Sequence, residues 1–444
     1  MKNKFNLLFF FTALLISIFL IQFTILNIDG NIPLYIFIYF EIFLLFLLGF
    51  YLVKKKAVNF RFTDDLTKKI GTYLNTEKNL SVPLFIIFSG LLFRIILFPA
   101  ELTTSPDAYR YIWEGKVIIN GYNPYEYEPG SDALRHLHSK DLPAKINFKE
   151  KKAIYPPAAQ FVFAAAYLIS GENLWGLKLI YFIFEIITMI FLLKLLLLKN
   201  KDPNLVILYS WLPLPVMEYF VNAHLDVFGI SFFIMSVYFF ENNKFIKASI
   251  FFAISILSKF FPLFVLPLLF KKYGLKRTFL TGMIILIISA IFYLPFYSSK
   301  VNVFSFLLLY LERWEFNASI YYFLKLLVSN EVSRIICAAL FLILIIIISY
   351  RYKDFTKAAL GILTAFIIFA STVYPWYLGW IAVLNPLYGF YSLTSLMFTS
   401  NLSNITPMSP VWTEYTYVLL AEYITFFILL AVDFRREKTF LNSV

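Results

Sequence analysis

Asp107, Arg110, Tyr111 and Glu114 are spaced so that a helix of 3.6 residues per turn brings them to one face. That face would offer a carboxylate, a guanidinium and a second carboxylate to one cleft. The rise per residue separates Asp107 from Glu114 by roughly 10 Å, too far to share one proton and suited to separate roles. A plain i,i+4 salt bridge between Arg110 and Glu114 is the competing reading of the same spacing. Ser105-Pro106-Asp107 reads as the helix start, with Ser as N-cap and Pro at the first helical position. Asn120-Gly121 reads as its stop. The turn Gly121-Tyr122-Asn123-Pro124-Tyr125 follows, and Tyr155-Pro156-Pro157 opens the next apolar run. Tyr109, Trp113, Tyr125 and Tyr155 give the stretch an aromatic character that a solvated tether lacks. Such rings stack on sugar faces, or they anchor a chain at a membrane interface.

Further ionisable groups recur at the ends of apolar runs. Asn222-Ala223-His224-Leu225-Asp226 sits between two runs, and Lys259 stands in Ser258-Lys259-Phe260-Phe261-Pro262. A cation in such a place needs an anion, and a lipid phosphate is a sensible one. Arg94 lies about 9 Å from the end of its run and could reach the same phosphate. Glu312-Arg313-Trp314-Glu315-Phe316-Asn317 and Tyr374-Pro375-Trp376-Tyr377 are two more polar-aromatic clusters. Glu41, Glu185, Lys194 and Glu422 lie in or near apolar runs with no partner that the sequence identifies. His136 and His138 form a bare H-x-H, and neither HExxH nor D-x-D occurs. No cofactor is therefore expected, and a divalent metal has no support in the ligand spacing.

The elements that must hold these groups are membrane helices. Of 444 residues, 60% are hydrophobic and 15% charged, and 53 are Phe. That leaves too little polar surface for a water-soluble globule or a disordered chain. The single cysteine, Cys337, rules out a disulfide scaffold. Long apolar runs lie near 6–26, 32–53, 82–100, 175–198, 203–221, 278–297, 333–350, 356–373 and 413–433, with shorter ones between them. An all-α polytopic bundle of roughly 12–14 spans follows, some short or broken, with 1–444 as one integral membrane domain. The 39 Lys and Arg against 27 Asp and Glu give +12, an excess that marks cytoplasmic loops and does not call for nucleic acid. The basic clusters at 54–78, 199–201, 271–277, 351–357 and 435–438 can all be cytoplasmic at once. Both termini are then inside, and 101–156, 222–225, 298–318 and 371–376 are outside, where the unusual polar residues collect. Segment 101–156, with its acids and bases in balance, becomes the large outer loop.

Together these motifs resemble the GT-C superfamily of membrane glycosyltransferases, most closely the bacterial polyprenyl-phosphate-mannose-dependent mannosyltransferases. The resemblance rests on Asp107-Ala108-Tyr109-Arg110-Tyr111-Ile112-Trp113-Glu114-Gly115, Gly121-Tyr122-Asn123-Pro124-Tyr125, Ile146-Asn147, Tyr155-Pro156-Pro157 with Gln160, Asn222-Ala223-His224-Leu225-Asp226, Lys259 with Pro262, Arg313-Trp314-Glu315-Phe316-Asn317 and Pro375-Trp376-Tyr377. It spans roughly 82–400. It implies a polyprenyl-phosphate sugar donor, mannose first, a glycan or glycolipid acceptor, and Asp107 as general base at the outer face of a bacterial inner membrane. Related sequences often carry two adjacent acids here; Pro106 replaces the first, so one carboxylate serves and a single displacement would invert the anomeric centre. Arg110, Lys259, Arg313, His224 and Arg94 are the candidate phosphate ligands. Tyr109, Trp113, Glu114, Asn123, Tyr125, Tyr155, Asn222, Asp226, Trp314, Asn317 and Trp376 are the candidate sugar or acceptor contacts. The alternatives are a secondary transporter or lipid-linked sugar flippase, a non-catalytic assembly partner, and a related transferase for another sugar or a polymer ligase. No internal repeat of the transporter kind is visible.

Overall fold

The computed structural model describes residues 2–27, 30–61, 64–74, 76–298, 302–409 and 411–442. The architecture is all-helical, as the composition demands. Among the described residues the only β pairing is an isolated parallel bridge between Phe316 and Thr372. Six helices are long and apolar enough to cross a membrane: Asn3–Leu26, Ile32–Lys54, Trp175–Leu198, Leu275–Phe296, Asn330–Arg351 and Thr416–Arg436. Four shorter apolar helices, Ser81–Ile96, Pro157–Ser170, Phe245–Ile256 and Phe355–Phe369, carry other expected spans. Two of the runs read as long are thereby corrected to 16 and 15 residues. The run at 203–221 is not one helix either. A short 3-10 turn, Pro203–Val206, leads into Ile207–Ser210, and the run breaks at 211–212, just before Pro213–Phe220, where Pro213 lacks a backbone donor and disfavours helix in the residue before it.

The chain divides into two compact units, each discontinuous in sequence. The first comprises Met1–Thr103, Glu185–Val221 and Leu378–Val444. Its interior holds a buried ion pair: Arg94 donates from Nε to Glu185 at 2.6 Å, and from Nη1 to the carbonyls of Gly90 and Ser210 at 2.9 Å each. The Tyr209 hydroxyl adds a 2.6 Å bond to the same carboxylate. Glu185, which the sequence left without a partner, thus has one in Arg94. Both side chains are fully buried.

The second unit comprises Thr104–Phe184 and Asn222–Tyr377. Its polar loop begins with the helix Asp107–Ile119 and packs on the helix Pro157–Ser170. The approach is close at Gly115, where a Cβ would stand 2.2 Å from the Phe163 carbonyl oxygen. Only a hydrogen fits there, and this contact sets the depth at which the Asp107 helix seats. Gly121, with φ +82°, ends the first helix as the sequence suggested.

Candidate active site

Asp107 is the first residue of its helix and is half-buried. Ser105 does not act as the expected N-cap; Pro106 takes that position, and the Ser105 hydroxyl accepts the Asp107 N–H at 3.3 Å. The decisive contact comes from 40 residues away, where Asn147 Nδ2 donates to Asp107 Oδ1 at 2.7 Å. Burial raises the Asp107 carboxyl above the usual range; the Asn147 bond, the charges of Arg110 and Lys259 and the Ser105 hydroxyl pull it back part of the way. The result is a carboxylate more basic than an exposed one, and this is what proton abstraction needs.

Arg110 is held quite differently from the expectation. Nε donates to Glu114 at 2.8 Å, Nη1 to the carbonyls of Asn147 at 3.4 Å and Phe148 at 3.1 Å, and Nη2 to those of Lys151 at 2.7 Å and Lys152 at 2.6 Å. Its N–H groups are all taken, so it has no donor left for a phosphate. The i,i+4 pairing, the competing reading of the sequence, is the one formed. Glu114, buried, accepts a second bond from Gln160 Nε2 at 2.7 Å and is thereby a brace and not a sugar contact. Burial raises its carboxyl, with Arg110 and Gln160 opposing. Arg110 therefore clamps segment 147–152 onto the Asp107 helix, and that segment carries the Asn147 that holds Asp107.

Lys259 supplies the cation. Its ammonium donates to Asp226 Oδ1 at 2.8 Å and Oδ2 at 3.0 Å and lies 4.0 Å from the centre of the Tyr377 ring. Burial lowers its pKa, while Asp226 and then Asp107 push it back up. Asp226 is thus the counter-ion of Lys259, 1% exposed, and is corrected from a sugar contact to that role. The Tyr377 hydroxyl shares a 2.8 Å hydrogen bond with that of Tyr310. Tyr155 and Tyr310 both feel the charges of Asp107 and Asp226, so base, cation and phenols occupy one neighbourhood. Tyr155 further meets the Tyr111 hydroxyl at 3.1 Å.

His224 is buried and lies face to face with Trp376, ring centres 3.6 Å apart and 17° from parallel. Trp376 stacks in turn on Tyr374 at 4.4 Å, and Tyr374 on Phe316 at 4.6 Å. Burial first, and the Lys259 charge second, hold the imidazole pKa well below its usual value. His224 thus belongs to an aromatic wall, and its ring keeps an N–H that can donate to an anion in either protonation state.

Several other expected contacts are structural. Trp113 is 1% exposed and meets the His138 ring edge-on at 5.5 Å. Tyr125 is buried with its hydroxyl on the Tyr155 carbonyl at 2.6 Å; Asn123 closes the turn by accepting the Tyr125 N–H at 3.0 Å and ties it to a distant segment by donating to the Phe296 carbonyl at 2.9 Å. Asn222 is buried and accepts the Thr104 N–H at 3.0 Å. Asn317 is buried with φ +47°. Arg94 lies in the other unit, engaged by Glu185. Arg313 is 70% exposed beside Glu312 at 3.8 Å and is not drawn into the cluster. Tyr109 is half-buried, with the Lys145 ammonium 5.2 Å from its ring centre, and Trp314 is half-buried against Phe148. Asn147, Tyr310 and Tyr377 are the functional candidates the sequence reading passed over. Ile146-Asn147 was a signal, being part of the motif series, whereas Tyr310 lies in an apolar stretch with nothing to mark it. Among the described residues no group of three or more His, Cys, Asp or Glu is placed to hold a metal.

Compared with known protein families, residues 96–271 match the MptA_B family, alpha-(1->6)-mannopyranosyltransferase, N-terminal domain. The chain is a glycosyltransferase. The matched stretch is shorter than half of the chain, but it holds Asp107, Asn147, Asp226 and Lys259 together, and it bears out the resemblance read from the motifs. The family indicates a mannosyltransferase, and the long apolar helices fit an integral membrane protein. Trp314, Trp376 and Tyr377 lie beyond the match. No curated protein matches the chain.

Proposed function

We propose that this mannosyltransferase takes its sugar from a polyprenyl phosphate, at the outer membrane face, and passes it to an acceptor hydroxyl with inversion. The observation that carries the reading is the 2.7 Å bond from Asn147 to Asp107, in a site where Lys259 is near enough to act on the same carboxylate. A raised, oriented carboxylate is a base, and a buried ammonium a short way off is an anion ligand. The acceptor O–H gives its proton to Asp107 while its oxygen bonds to the anomeric carbon. The bond from that carbon to the phosphate oxygen breaks, and the pair leaves on the polyprenyl phosphate. Lys259 meets the charge that grows there. The leaving group is a phosphate anion of low basicity, so no strong general acid is needed. One base and one displacement invert the centre, so a β-linked donor gives an α-linked product.

The test is transfer of radiolabelled mannose from a polyprenyl phosphate by the full chain in lipid. Asp107→Asn is expected to reduce turnover by at least about 100-fold, the low end of what a general base contributes, while donor binding persists. Retained turnover would remove Asp107 from the role. Uptake of label into vesicles without transfer would favour the transporter reading.

A further inference from the structure

We propose that Arg334 is a positioning residue of the site: its guanidinium ties together the two segments that hold the Tyr310–Tyr377 phenol pair against the Lys259 ammonium. The inference rests on the transferase reading above, in which Lys259 meets the leaving phosphate, and it names what keeps that cation's surroundings in place. Arg334 lies one turn into the helix Asn330–Arg351, outside every motif of the sequence analysis. Its Nε donates to Asn330 Oδ1 at 2.7 Å. Nη1 donates to the Leu311 carbonyl at 2.6 Å and the Ser371 hydroxyl at 2.8 Å, and Nη2 to the Trp314 carbonyl at 3.1 Å. Leu311 and Trp314 stand at the C-terminal end of the helix Ser305–Arg313, where carbonyls lack an intrahelical donor. Glu315, 3.8 Å from Nη2, balances the charge. An ion pair alone would need only that carboxylate; the fork is instead spread over two stretches of chain far apart in sequence.

Those two stretches carry the cation side of the site. Next to Arg334 they are joined by the parallel bridge, with the Phe316 N–H on the Ser371 carbonyl at 3.0 Å and the Val373 N–H on the Phe316 carbonyl at 2.7 Å. The Ser371 and Thr372 hydroxyls add bonds to the Trp314 carbonyl at 3.2 and 2.8 Å. Trp314 stacks on Tyr310 at 5.4 Å. The stretches meet again where the Tyr310 and Tyr377 hydroxyls share their 2.8 Å bond, and there the Tyr377 ring centre lies 4.0 Å from the Lys259 nitrogen. A ring face so close favours the charged ammonium. The frame therefore has Arg334 at one end and Lys259 at the other, and slack at the first end withdraws the ring at the second. The base side has an arginine of its own, since Arg110 holds the carbonyls of residues 147, 148, 151 and 152. Loosening Arg334 thus leaves Asp107 as it was.

The experiment uses the full chain in nanodiscs, with polyprenyl-phosphate mannose as donor and octyl α-mannoside as acceptor, and reads kcat/KM against pH. The groups facing Lys259 are Asp226, Asp107, His224 and Tyr377, with Tyr310 and Tyr155 behind Tyr377. Burial pushes the Tyr310 and Tyr377 phenols up and keeps His224 neutral, so the basic limb belongs to Lys259. Arg334→Lys keeps the charge and loses the fork. With the ring withdrawn the ammonium loses support, so the basic limb is expected at lower pH while the acidic limb, set by Asp107, stays. Tyr377→Leu should move the basic limb the same way, and Arg334→Lys added to it should move it no further. Ser371→Ala, which removes one acceptor of the fork, should give a smaller shift of the same sign and serves if Arg334→Lys does not fold. A basic limb that stays put, shifts that add, or an acidic limb that moves with it overturns the proposal. Amide hydrogen exchange separates this inference from the transferase reading. Exchange over 371–377 should quicken in Arg334→Lys or Ser371→Ala with 147–152 unchanged, a result that supports the tie even if no transfer is found. Unchanged exchange over 371–377 ends it.

Discussion

At the scale of single residues, the site turns on how Asp107 is held. A bond donated to a carboxylate favours its charged form, so Asn147 keeps the Asp107 carboxyl lower than burial alone would set it. Asn147→Ala should therefore raise it. The working form of a base is the deprotonated one, so the acidic limb of the pH–rate profile moves to higher pH. We expect the midpoint to move upward, with a loss of rate at pH below the limb and recovery at alkaline pH. A profile of unchanged midpoint, measured as kcat/KM from pH 5 to 9, would show that Asn147 does not act through Asp107. Asp107 itself was legible in the sequence because its helix has clear start and stop signals and a one-face pattern. Asn147 stood in the motif series, but its pairing with Asp107 was not legible, since it spans 40 residues and no local period reports a contact of that kind. Trp113 and Tyr125 misled for a simple reason. Aromatic residues in an interfacial loop serve equally as ligand platforms and as the loop's own small core, and only packing separates the two.

At the scale of elements, two close contacts deserve a mutational test. The Asp107 helix seats on the helix Pro157–Ser170 through Gly115, and a methyl there would press on the Phe163 carbonyl. Gly115→Ala is expected to cost about 1–3 kcal/mol by overpacking, read as a fall in Tm, and to lower kcat by displacing Asp107. An unchanged Tm would mean that the helices separate without penalty. In the other unit, Arg94→Met leaves Glu185 buried without its cation, at a cost of about 3–5 kcal/mol. The double variant Arg94→Met with Glu185→Leu should regain most of that, with the donor KM unaltered throughout. A donor KM that rises with the pair repaired would return Arg94 to phosphate binding. The helix count shows where run length misleads. Long apolar runs were read as long helices, but the run at 203–221 is broken just before Pro213, and 82–100 and 356–373 yield helices of 16 and 15 residues. Pro213 was visible; composition simply outweighed it in a window of twenty residues.

At the scale of the whole chain, membrane character and helical class were legible from composition, because a bilayer admits few other ways of pairing backbone groups. The division into two units was not, since each is assembled from separate stretches of sequence. Orientation can be tested on the chain as it stands. With the one cysteine, Cys337, buried and replaced by serine, Lys140→Cys should react with an impermeant maleimide in intact cells. Lys276→Cys should react only after permeabilisation. The reverse pattern would put the polar loop in the cytosol and remove the lipid-linked donor of the outer leaflet from consideration.

The pairing of Lys259 with Asp226 has a bearing on selectivity. A lysine already matched by its own carboxylate projects little field, so it gathers few stray anions from bulk water. Inorganic phosphate arriving alone would have to displace Asp226 with nothing else to gain. A phosphate tethered to a long hydrocarbon brings attachment energy from elsewhere in the molecule, and the exchange of one anion for another becomes affordable only to it. The resting ion pair would thus act as a filter, ignoring the abundant soluble anion in favour of the scarce membrane-borne one.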